Sequence, residues 1–404
     1  MKSTNRVWTR GFVLVILINF LVFMNHIMIL STFPMFLENV LGLDEAVAGA
    51  AAFAFSAVAV LLRPVIGWML DCGKRRSVLF AGLCGMLLMP LGYALSTALA
   101  AAGYALTLAV VLALTCRMVQ GAALALSNTT SATLASDALP QSRFAEGMGY
   151  FGMATALATS LAPALGLALM RRGFVPLFIT AAAFMFVSLI LLFLMKPAAP
   201  VHAEKKPLRV RELIEPDAVP ASVICLVFLL TWGALENFLA DYALKFGLPS
   251  GGVFFAITAV MLLLVRVTVG KLADKRGEGI FVYSCNAAML AAFLLLALTP
   301  GKLTFCAASV LAGYAFGGIE PALQSMAVHI APPERRGSAN STFLCAYDIG
   351  LGGGGGIAGV LISAVGYRDM FLILSLATVA SVLLYVFWGR HHRSSFGHSG
   401  HKNG

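Results

Sequence analysis

Apolar runs of about 20 residues recur along nearly the whole chain, and each is long enough to cross a hydrocarbon layer roughly 30 Å thick. Backbone in lipid must satisfy its own hydrogen bonds, so such runs are helices. A membrane β-barrel would show short alternating segments, and the sequence has none. Of 404 residues, 60% are hydrophobic and 11% charged, too little polar surface for a water-soluble domain. The first run, 11–33, follows Lys2, Arg6 and Arg10 in the manner of a signal peptide. It is too long for one and lacks a small-residue cleavage site before Pro34, so it is expected to be the first span.

Hydropathy places spans at 11–33, 46–70, 77–97, 104–135, 144–169, 174–195, 219–243, 252–271, 280–299, 303–330, 340–365 and 370–388. The fold class expected is an all-α membrane protein of twelve spanning helices in two six-helix bundles. Twelve spans leave both termini on one side, and 20 of the 28 Lys and Arg fall on that side against five on the other. Short basic loops stay in the cytoplasm, so both termini are expected inside, in the cell membrane. The same distribution accounts for the net charge of +10 without a nucleic-acid partner. The one long polar stretch, 196–218, reads as a cytoplasmic linker between bundles 1–195 and 219–389, with 390–404 a cytoplasmic tail. Six of the seven cysteines lie in apolar runs and Cys72 in a basic loop, which is no disulfide framework.

The two halves repeat each other. Arg63, Gly67 and Asp71 at the end of helix 2 recur as Arg266, Gly270 and Asp274 at the end of helix 8, 203 residues on. From Pro140 to Phe178 the chain aligns without a gap to Pro333–Phe371, which pairs Arg143 with Arg336, Gly166 with Gly359 and Gly173 with Gly366. Parallel six-helix repeats mark one transporter architecture. On these residues the chain resembles the major facilitator superfamily along essentially its whole length. The family's loop signature, G-x-L-A-D-[RK]-x-G-[RK]-[RK], is matched by Gly270, Leu272, Ala273, Asp274, Lys275, Arg276 and Gly277, though Glu278 and Gly279 replace the final basic pair. In the first half Gly67, Asp71, Arg75 and Arg76 fit, while Cys72 and Lys74 stand where a basic residue and the second glycine belong. The resemblance implies a substrate site near mid-membrane between the halves, with Asp71, Arg75, Arg76 and their counterparts setting the gate equilibrium. An Asp beside several cations makes charge-assisted bonds that hold one conformation, although the same cations would also serve topology alone.

Helix 4 carries Arg117-Met118-Val119-Gln120-Gly121, similar to the R-x-x-Q-G motif of the family's proton-linked members. An Arg in mid-membrane is costly and faces a cavity or an acid; Gln120 shares its face. In helix 5, Pro163 and Gly166 resemble, in degenerate form, the Gly/Pro motif of drug:proton antiporters. That motif acts as a packing hinge and has no chemistry of its own. Its repeat in helix 11 holds five consecutive glycines ending at Gly356, with Gly359 beyond, which permit close approach or bending.

Glu236, Glu320 and Asp348 lie deep in spans, set against Arg117 as the deep cation. Buried acids without a fixed cationic partner can load and release protons, so Asp348 and Glu320, then Glu236, are the expected carriers. The competing reading of each is a buried structural acid bonded to a neighbouring helix, and any of them could equally bind a cationic substrate. His26 and Asn19 share one face of helix 1, as cavity or packing residues. His391, His392, His398 and His401 are too irregular for a metal site and mark a solvated tail.

These features point to a proton-driven antiporter exporting a small amphiphilic molecule, with lipid and protons as its other partners and no cofactor; the family resemblance implies a monomer. A proton-coupled uptake symporter is the alternative. An intramembrane receptor or enzyme is disfavoured, since no nucleophile, base or metal set clusters in the spans, and no P-loop supports ATP-driven transport.

Overall fold

The structure, a computed structural model, describes residues 6–43, 45–102, 106–195, 213–249, 251–298 and 301–389. The expected tail and residues 196–212 of the expected linker lie outside them. The helices are α1 (Arg10–Leu41), α2 (Glu45–Asp71), α3 (Arg75–Ala101), α4 (Leu106–Ala138), α5 (Phe144–Met170) and α6 (Phe174–Leu194). There follow α7 (Val219–Lys245), α8 (Gly251–Arg276), α9 (Gly279–Leu298), α10 (Lys302–His329) and α11 (Arg336–Leu384). Among the described residues there is no strand.

Twelve spans are present in these eleven helices because α11 is two of them. Its 49 residues, at about 1.5 Å each, would run far past the roughly 30 Å that one crossing needs. It breaks at Gly366, whose φ of 82° and ψ of 175° leave the helical region. Ten stretches are apolar enough to span by length and hydropathy, including Pro333–Gly389 as one, and α8 contributes the shorter Gly251–Arg266. The chain is a multi-pass membrane protein. At the other end, α1 continues through Pro34 to Leu41, well beyond the expected stop at 33.

The repeat extends to the backbone. The six glycines with left-handed φ among the described residues fall at matching turns: Gly42 with Gly247, Gly73 with Gly277, and Gly173 with Gly366. After α2, Gly73 N–H donates to the Leu70 carbonyl at 3.0 Å and Lys74 N–H to that of Met69 at 3.2 Å. This is the helix-ending pair that needs a left-handed residue, and a side chain there is strained. The second glycine of the loop signature is therefore present in the first half after all. It is Gly73, one position earlier than the pattern places it.

Helix packing repeats too. A Cβ on Gly121 of α4 would strike the Phe55 carbonyl of α2, and one on Gly313 of α10 would lie 2.6 Å from the Thr258 carbonyl of α8. Bare backbone at those points lets each helix pair approach closely. Contacts gather the described residues into two compact units. One holds α1 to α4, α5 from Ala154 onward, and α6; the other holds Leu139–Met153 with α7 to α11.

Candidate functional site

In the N-terminal unit the mid-membrane polar group is built round Arg117. Arg117 is 1% exposed, and its guanidinium lies 4.7 Å from the Phe33 ring centre and 4.3 Å from that of Phe55. Arg117 Nη1 donates to Gln120 Oε1 at 3.0 Å, and the Tyr93 hydroxyl donates to the same oxygen at 2.8 Å. His26 stacks on the Phe55 ring, with centroids 5.2 Å apart and planes 5° from parallel. Rings on two sides and a neutral acceptor thus stand in for an acid, an arrangement that suits the planar, weakly hydrated guanidinium. Asn19 sits apart from this cage and joins α1 to α5 by a 2.8 Å bond from Nδ2 to the Thr155 hydroxyl.

In the C-terminal unit one of the expected acids, Glu320, meets a second deep cation. Arg266 of α8, 4% exposed, pairs with Glu320 of α10 through Nη2. Glu320 is therefore an acid with a fixed partner, and Arg117 is not alone as a deep cation. Tyr347 of α11 lies within electrostatic reach of Glu320, Glu236 and Arg266. Glu236 of α7 is exposed, and among the described residues no side chain bonds it. A stack of Trp232 on Phe316, 4.1 Å between centroids, lies one turn from Glu236 along α7 and one turn from Glu320 along α10. Because those helices run in opposite directions, the two acids stand on opposite sides of the stack. Asp348 is half-buried on α11, turned about 100° round the helix from Tyr347.

The gate motif is tied down at its first copy. Arg75 pairs with Asp137 at the end of α4, and Arg76 Nη1 reaches the Met195 carbonyl at 3.5 Å. Asp71 and Gly67 are buried at the end of α2. In the second copy, Gly270, Asp274, Lys275 and Arg276 belong to α8, but their side chains lie outside the described residues. Arg335 of the turn before α11 pairs with Glu215 before α7.

The expected packing residues divide by role. Gly166 faces α1, where a Cβ would meet Met28 at 3.0 Å, and Gly359 faces Phe238 of α7 at 3.2 Å. Within the glycine run, Gly354 lies on the backbone of Leu230, while Gly352 and Gly356 face open space. The run stays helical, so it provides close approach; the break in α11 comes later, at Gly366. Pro163 stands inside α5 without ending it.

Missed by the sequence reading were Arg266 and Tyr347 as site residues, and Asn25, whose Nδ2 bonds the carbonyls of Met86 and Ala181 at 3.3 and 2.8 Å. The recurrence of Arg63 as Arg266 was the available signal for the first of these.

A staphylopine export protein of Staphylococcus aureus is 21% identical over 61% of this chain, a match spanning 66% of that protein, a little under two thirds of its length. An uncharacterized MFS-type transporter of Burkholderia pseudomallei is 26% identical over 88% of the chain and 86% of its own. In structure, the fucose:proton symporter of E. coli superimposes with a TM-score of 0.76 at 15% identity, covering 95% of this chain and 99% of that one. The family model for the Major Facilitator Superfamily matches residues 15–303 and, overlapping them, 269–402. Twelve spans, a doubled backbone and these matches together place the chain in the Major Facilitator Superfamily, as a transporter and not an enzyme.

Proposed function

We propose that this transporter is a proton-coupled exporter that moves a small amphiphilic molecule outward by alternating access as protons enter. The observation that carries the reading is the ionisable group of Arg266, Glu320, Tyr347 and Glu236, contributed by four spanning helices of one unit. Ionisable side chains at that depth are expensive and mark ion or substrate pathways. The likeness to a staphylopine exporter and the Pro163–Gly166 element favour export. The likeness in fold to a proton symporter favours protons as the driving ion, and uptake by symport is the second reading on the same ground. In this reading Asp348 is a further carrier, the gradient takes the place of any cofactor, the protein works as a monomer in the cell membrane, and both termini are cytoplasmic.

The test is purified protein in liposomes that enclose a pH-sensitive dye, challenged with pools of amphiphilic compounds without an imposed gradient. Proton movement opposite to the compound supports antiport, whereas co-directional movement replaces it with symport. Glu320→Gln and Asp348→Asn should each abolish compound-driven proton flux while the protein remains inserted. Normal flux in both variants at every pH would refute the coupling assignment.

A further inference from the structure

Gly152 stands on α5 where Arg266 of α8 reaches across. A Cβ at Gly152 would fall on the guanidinium Nη1, with Cζ 3.1 Å away, so the head of Arg266 rests on bare backbone. Nε and Nη1 of Arg266 have no hydrogen-bond partner among the described residues. What fixes the guanidinium there is Glu320, acting through Nη2 from α10. The surrounding stretch, Leu139–Met153, keeps company with α7 to α11, and α5 leaves that unit at Ala154. One and a half helical turns below Gly152, the same stretch carries Glu146, bonded to Arg143 and Tyr150. Nearer its start Phe144 lies edge-on to His329 of α10 at 5.5 Å and under Arg336 at 5.6 Å.

We propose that Gly152 is the seat of a proton-sensitive latch. Ionised Glu320 holds the Arg266 guanidinium on Gly152, and a proton on Glu320 lets it leave, freeing the first part of α5 from α8. The groups facing Glu320 are Arg266 from α8, Tyr347 from α11 and Cys225 from α7, with Glu236 of α7 beyond the Trp232–Phe316 stack. The fourth helix packed on α10 is α9, which brings Cys285 against Gly318 and has no charged residue in its length. Arg266 is the one cation in that set, so protonation removes the charge that orients it. Glycine is required because any side chain at 152 would occupy the place of the guanidinium. The latch rests on the reading that Glu320 takes up a proton during transport; Gly152 acts through Arg266 and is a positioning residue.

Hydrogen–deuterium exchange on the full chain in lipid nanodiscs, without substrate, tests it. After correction for intrinsic rates, peptides covering 144–153 should exchange about tenfold faster at acidic than at alkaline pH. Glu320→Gln should give the fast rate at both pH values, as should Gly152→Ala. Adding Arg266→Gln to Gly152→Ala should change nothing further, because both act on one contact. Equal rates at the two pH values in the unaltered protein would overturn the latch, and so would additive effects of the two substitutions. Peptides of α1 to α4 report whether each variant is folded, and Arg266→Lys, which keeps the charge, serves if Arg266→Gln is not. Proton flux in liposomes is read separately. A pH switch in exchange with unaffected flux in Glu320→Gln keeps the latch and refutes the coupling, and the converse pair keeps the coupling and refutes the latch.

Discussion

Arg63 Nη1 donates to the Thr129 hydroxyl at 3.2 Å, whereas Arg266, its counterpart 203 residues on, donates to the Glu320 carboxylate. Both arginines lie buried near the end of the second helix of their half and reach the fourth. One meets a neutral oxygen there and the other an acid. The scaffold is duplicated, and the Glu320 carboxylate belongs to its second half.

Removing the charge of Glu320 should leave Arg266 buried and uncompensated. Glu320→Gln is expected to lower stability by about 2–3 kcal/mol, below the full value for a wholly buried pair because Glu320 keeps some exposure. Replacing both residues, Glu320→Gln with Arg266→Met, should recover most of that loss. Thermal unfolding in detergent of the single and double variants checks it.

The glycine run makes predictions of opposite sign on neighbouring residues. Gly354→Ala drives a methyl into the Leu230 backbone, whose Cα would be 2.8 Å away, and should destabilise by about 1–3 kcal/mol. Gly356→Ala meets nothing within 4 Å and should instead stabilise by up to about 1 kcal/mol through helix propensity. Unfolding midpoints of the two variants, compared side by side, decide it.

Gly73 and Gly277 have φ of 78° and 80°. Alanine at either should cost about 1–2 kcal/mol, by nearly the same amount in both, as circular dichroism melts would show. Unequal losses would mean that the two turns are not equivalent.

At Arg117, lysine keeps the charge but not the flat head that contacts two rings and Gln120 together. Arg117→Lys is expected to lose about 1–2 kcal/mol, and Phe55→Leu in that background should lose less than Phe55→Leu alone. A double-mutant cycle on thermal stability measures that coupling.

The spans were legible because hydropathy over about 20 residues is a local property, and the pairing of Gly173 with Gly366 was legible from the ungapped repeat. The stopping points were less so: α1 passes Pro34, which a solitary proline does not reveal. The Arg266–Glu320 pair joins residues 54 apart on different helices, and one chain carries no local sign of which faces meet. Arg266 was legible only as a member of the internal repeat for that reason. Gly73 was overlooked because the pattern fixes a position, whereas the turn requires only a residue able to take left-handed φ.

The six left-handed glycines also bear on how such a chain can drift. Each of these turns depends on a residue able to take left-handed φ, whereas the loop side chains beside it are under no such backbone constraint. A duplicated half that keeps Gly42, Gly73 and Gly173, or Gly247, Gly277 and Gly366, therefore keeps its ancestry recognisable after its vocabulary of side chains has changed. Within this chain the order of these turns records the repeat more plainly than the side chains between them do.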